Sequence, residues 1–146
     1  MTARAVLAGL CAVVLTGCGG GSDGAPCTAI GAASGVTFWY VDVVGRHPPA
    51  GVSAKACVGS TCRQLVIRRT RPVPMLQVPL DGADGSPRMA SLTVTDRAGH
   101  RVFAGRTTAR PALFEPNGHD CAPHAWVARL DASGRHRLRQ VATPQG

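Results

Sequence analysis

Between residues 27 and 141 no segment sustains a helical period. Apolar residues come instead in short runs that are β-branched or alternate with polar ones, and glycine, proline, aspartate or asparagine separates the runs. Period-two patterning with frequent turn residues dictates strands. With 18 glycines and 11 prolines available for turns, the chain is constrained to an all-β domain of many short strands.

The run Val36 to Val44 is β-branched and aromatic, which predicts a buried strand. Asp42 breaks its even register, so Trp39, Val41 and Val43 are expected toward the core. Prolines 48 and 49 force a loop. Val52 to Val58 and Cys62 to Arg68 read as a hairpin around Gly59-Ser60-Thr61, with Ala54, Ala56, Val58, Leu65 and Ile67 on one face. Met75 to Val78 is bracketed by prolines, which confines it to a sheet edge or an irregular connection. Met89 to Thr95 and His100 to Thr108 form a second hairpin through Asp96-Arg97-Ala98-Gly99. Residues 110–124, with three prolines, read as one long loop. Trp126 to Leu130 and Arg135 to Val141 close the domain as a third hairpin that turns at Asp131 to Gly134. The expected fold is a two-sheet antiparallel immunoglobulin-like sandwich of seven or eight strands, stapled by disulfides. A small barrel is the alternative. Trp39, Trp126, Phe38 and Phe103 are expected to fill much of the core.

The N-terminus carries a different pattern. Arg4 precedes an apolar stretch, Ala5 to Leu15, and Leu15-Thr16-Gly17-Cys18 has the form of a bacterial lipobox. A bilayer span needs about 20 apolar residues, so this stretch has the length of a signal-peptide core. Residues 1–17 are therefore expected to be a lipoprotein signal peptide. Cys18 would become the lipidated N-terminus, residues 18–26 a glycine-rich flexible tether, 27–141 the sandwich and 142–146 a tail. An ordinary secretory signal with a chance cysteine is the plainer alternative. The expected location is the outer face of the cytoplasmic membrane, held by lipid.

Processing also settles the cysteine arithmetic. Cys11 leaves with the signal and Cys18 is taken by lipid, so Cys27, Cys57, Cys62 and Cys121 remain. An even number in an exported domain reads as two disulfides. Four cysteines allow three pairings. Closeness in sequence joins Cys57 to Cys62, which leaves Cys27 with Cys121.

The net charge of +8 is almost all arginine, and arginine, alanine and glycine dominate the chain, as a GC-rich genome produces. An exported basic domain meets anionic wall polymers, phospholipid headgroups or envelope proteins rather than nucleic acid.

These pieces resemble a group of actinobacterial secreted and lipid-anchored proteins of unknown function. The resemblance rests on Cys27-Thr28-Ala29-Ile30-Gly31 with Ser34-Gly35-Val36, on the Cys57 to Cys62-Arg63 hairpin, and on Pro116-Asn117-Gly118 followed by Cys121, Pro123 and Trp126. Members of the group often carry a further cysteine where this chain has Ala32 and Ala125. Joint absence of the two is consistent with a bridge between those positions, which the resemblance implies would leave Cys27 with Cys121. The group brings no activity with it.

Three constellations remain. His119, Cys121 and His124 have metal-like spacing, but a disulfide at Cys121 would remove the thiolate that zinc or copper prefers, so no metal or other cofactor is expected. Arg129, Arg135, Arg137 and Arg139 alternate along the last hairpin and are expected on one outer face. Arg68, Arg69 and Arg71 form a second basic cluster. Such faces bind anions, and they are also what a solvated sheet surface in an arginine-rich chain looks like. Glu115, with Asp120 nearby, is too little for paired-carboxylate hydrolysis, and no nucleophile elbow or phosphate loop is present. The expected function is that of a binding or interaction module directed at anionic envelope components. A metal-binding or chaperone-like lipoprotein using the His119/His124 loop is the alternative, and an exported hydrolase ranks third.

Overall fold

The computed structural model of the protein describes residues 30–68, 74–82, 84–119 and 121–142. The signal peptide, Cys18, the tether, Cys27, Arg69, Arg71, Asp120 and the tail from residue 143 lie outside them. No helix of the described residues is long and apolar enough to cross a membrane.

The expected all-β sandwich is what the chain forms, with nine strands among the described residues rather than seven or eight. They are β1 (Gly35–Trp39), β2 (Ser53–Val58), β3 (Thr61–Val66), β4 (Met75–Pro79), β5 (Arg88–Thr95), β6 (Arg101–Ala109), β7 (Ala112–Phe114), β8 (Ala125–Ser133) and β9 (Arg137–Val141). One sheet runs β4-β1-β8, with β7 and β9 both paired to β8, and the other runs β3-β2-β5-β6. All pairings are antiparallel except β1 with β8, which is parallel. The proline-bracketed strand β4 sits at a sheet edge, where it is paired only with β1.

Alternation works as the pattern dictates in the four-stranded sheet. Ala54, Ala56 and Val58 face inward from β2, and Ala90, Leu92 and Val94 from β5. Register pairs Ala54 with Leu65 and Cys57 with Cys62. The Cys57–Cys62 disulfide therefore staples the outer face of the hairpin. Thr61 pairs with Val58, so the turn is Gly59-Ser60 and not the three residues expected.

Four expectations need correction. The run from Val36 is not one strand. β1 stops at Trp39, and a four-residue helix, α1 (Val41–Val44), follows. The amides of Val43 and Val44 donate to the Tyr40 carbonyl. With Asp42 in that helical turn, it has no bearing on strand register. Val36, Phe38 and Tyr40 are the buried set, while Trp39 points outward and Val43 only packs against the core edge. Second, the aromatic core is Phe38, Tyr40 and Phe103. Trp39 and Trp126 are half-buried. Trp126 lies against Gly85, whose φ of 71° leaves no room for a Cβ above the indole ring. Third, the supposed loop 110–124 contains β7, which pairs with the start of β8. Finally, β8 continues through Asp131 to Ser133, so the last turn falls at residues 134–136 and Asp131 pairs with Arg139.

The two sheets meet closely along β6 and β9. The Ala104 amide donates to the Arg135 carbonyl at 3.2 Å, and the Gln140 side chain brackets Arg110, donating to its carbonyl and accepting from its amide at 2.8 Å each. Gly105 permits this approach. A Cβ there would lie 2.9 Å from the Leu138 Cβ and 3.0 Å from the His136 carbonyl oxygen.

Candidate functional site

The four arginines expected on one face are dealt with differently by the fold. Arg129 lies on the outer face of β8, beside Asp131. Its Nε and Nη2 donate to the two Asp131 oxygens at 2.9 and 3.2 Å, and its guanidinium stacks 4.5 Å from the Trp39 ring centroid. That charge is neutralised and held. Arg137 and Arg139 share this outer face, opposite Ser133 and Asp131. Arg135 is not on the strand. Because β8 runs two residues further than expected, Arg135 falls in the turn and is carried toward β6.

The four-stranded sheet holds the charges that the sequence reading passed over. Its strands contain Lys55, Arg63, Arg88, Arg101 and Arg106 and no carboxylate. Arg88 reaches Asp84 at 3.4 Å. Among the described residues, Lys55, Arg101, Arg106 and Arg135 pair with no carboxylate. Asp96, at the β5–β6 turn, is occupied locally. It accepts the Ala98 and His100 amides at 2.8 and 2.9 Å. Those bonds, that of His100 first, hold its carboxyl below the usual carboxylate range. Asp84 is held low in the same way by the Ser86 amide.

Where β6 meets the β8–β9 turn, a cavity of about 400 Å³ opens between Arg101, Val102, Phe103, Ala104, Arg135 and His136. A second cavity of about 290 Å³ adjoins it and shares Arg101 and Ala104. Its far wall is formed by Ser91, Thr93 and Arg106. The His136 ring is oriented by its Nδ1, which donates to the Ala104 carbonyl at 3.1 Å. A carbonyl only accepts, so Nδ1 carries the proton. The result is an open groove lined by three unpaired guanidinium groups, an imidazole and two hydroxyls.

The histidine loop is arranged around Glu115. His119 Nδ1 lies 3.2 Å from one Glu115 oxygen and His124 Nδ1 lies 3.4 Å from the other. Cys121 is disulfide-bonded, and its expected partner Cys27 lies outside the described residues. Among the described residues no group of three or more His, Cys, Asp or Glu is placed to hold a metal ion. Asn117 is the buried polar residue of this loop. Its amide accepts from the Ile30 N–H at 2.9 Å and donates to the Ile30 and Ala122 carbonyls at 3.0 Å each. It pins the entering chain beside the start of β8, where the Ser34 hydroxyl also accepts the Trp126 amide.

Comparison with protein-family models, with curated proteins and with solved structures gives no match.

Proposed function

We propose that this protein is a lipid-anchored envelope module that binds an anionic component outside the cytoplasmic membrane. One observation carries the reading: a four-stranded sheet with five cations and no carboxylate, whose Lys55, Arg101 and Arg106 are left without acidic partners. A solvated protein surface normally intersperses both signs. A field of one sign raises the local concentration of opposite charge and speeds its capture. The anchor half of the proposal rests on Leu15 to Cys18. An immunoglobulin-like relationship for the sandwich belongs to the same reading, supported by its two facing sheets of mostly antiparallel strands.

Retention of the full chain, held in neutral detergent micelles, on isolated wall fragments tests the binding half. Retention is expected at low ionic strength and should fall as salt rises, since the Debye length shrinks from about 10 Å at 0.1 M to about 3 Å at 1 M. Salt-independent retention, or none, overturns it. Intact mass of the membrane-extracted protein tests the anchor half. A mature form starting at Cys18 without lipid overturns that.

A further inference from the structure

We propose that the groove between β6 and the β8–β9 turn is a specific site for phosphoryl groups borne along a polyanionic chain. The inference rests on the anion-binding reading above and gives it a place, a chemistry and a direction.

The place follows from convergence. Arg101 comes from the first residue of β6 and Arg135 from the turn between β8 and β9, segments that belong to different sheets. The fold brings them to one cavity through the Ala104 to Arg135 backbone hydrogen bond and the bare Cα of Gly105. Arg101, Arg106, Arg135 and His136 are all exposed, so an incoming anion meets them without any rearrangement of the core.

The chemistry follows from the donors. Guanidinium groups present paired N–H donors that match oxyanions. Here they approach from two walls. A planar carboxylate presents its two oxygens in one plane, whereas a phosphoryl group has oxygens in several directions and accepts from both walls at once. The adjoining cavity extends the site. Five residues of β6 separate Arg101 from Arg106, about 16 Å at roughly 3.3 Å per residue. One phosphoryl group does not reach both, so a chain with repeated groups is the better fit. Ser91 and Thr93, beside Arg106, add hydroxyl donors to the second position.

The direction follows from β8. The chain enters the domain at Ile30, pinned by Asn117 near the Ala125 end of that strand, and the groove sits beyond its Ser133 end. Nine residues of strand set the two about 26 Å apart. The groove is therefore at the end remote from the point where a lipidated Cys18 would tether the domain, which favours a wall-borne or soluble chain over the headgroups of the anchoring bilayer.

The full chain in neutral detergent micelles, titrated with inorganic polyphosphate and followed by backbone amide resonances, tests this. Shifts are expected at Ala104, Arg135 and His136. Arg101→Gln with Arg135→Gln should weaken the binding roughly tenfold, the loss of one charge-assisted contact. Arg137→Gln with Arg139→Gln removes the same charge from the other sheet and should change it much less. Equal losses in the two variants overturn the groove while leaving general anion binding intact. No polyphosphate binding by the unaltered chain at low ionic strength overturns both. Equal affinity for polyglutamate overturns the phosphoryl assignment. Equal shifts of the same amides by phosphatidylglycerol in mixed micelles overturn the chain-borne source.

Discussion

The five-stranded and four-stranded sheets share one core, yet they differ in what they bury and in how they treat charge. The five-stranded sheet supplies Phe38, Leu130 and Leu138 to the interior, and the four-stranded sheet answers mainly with alanines and Phe103. Large side chains on one sheet thus pack against small ones on the other, as close packing between layers requires. On the outside the order reverses. The five-stranded sheet neutralises Arg129 with Asp131 and Trp39, whereas the four-stranded sheet leaves its strand cations, Arg88 apart, without acids. One sheet supplies bulk and pairs its charge locally. The other is thin inside, and its open charge faces outward. A charge count over the whole chain hides this division.

The comparison can be broken first through the covalent ties. Peptide mapping should join Cys121 to Cys27, and replacing both by serine should cost about 4–5 kcal/mol by the loop-closure estimate. Replacing Cys57 and Cys62, separated by five residues, should cost only about 2 kcal/mol. Reversed costs in denaturant titrations would mean that the short staple carries the four-stranded sheet. Next is the core asymmetry. Phe38→Ala should lose about 3–5 kcal/mol, because its small neighbours cannot refill the space. A loss under 2 kcal/mol would show that the alanine-lined face collapses onto it. Gly105→Ala should cost about 1–3 kcal/mol by overpacking against Leu138 and the His136 carbonyl. Because it pushes the β8–β9 turn from β6, it should also weaken polyphosphate binding. Unchanged binding would detach the groove from that contact.

Smaller effects sharpen the charge contrast. Arg129→Gln should lose about 0.5–1 kcal/mol through its lost ion pair and ring contact, while Arg106→Gln should be nearly neutral for stability. Equal losses would mean that Arg106 has a structural role too. The smallest effect concerns Asp96. Its folded-state pKa lies below its ordinary value of 3.8, so its contribution is present above that value and is lost as pH falls through the folded one. Amide exchange at Ala98 and His100 should accelerate only in that acid window, and Asp96→Asn should abolish the acceleration. A change near neutral pH would point to the histidines instead.

Much of this was legible in the residues themselves. The β2–β3 and β5–β6 hairpins, their inward faces and the Cys57–Cys62 staple follow from period-two alternation and short turns, which are local signals. The carboxylate-free strands were legible as well, but only when charges are counted strand by strand. Glu115 could be singled out as the glutamate of the domain. That it faces His119 and His124 could not, because those contacts depend on the path of the loop.

By itself, then, the sequence determines the all-β class, the hairpins, the edge position of β4 and the arginine excess, because strand periodicity, turn chemistry and composition act over a few residues. Only the tertiary structure decides that β1 ends at Trp39 and buries Phe38 and Tyr40, that β1 pairs in parallel with β8, and that the last turn falls at 134–136. Those outcomes come from pairing between distant segments. A shift of two residues in one turn moves Arg135 off the expected face and brings it to Arg101, and no local pattern encodes that meeting.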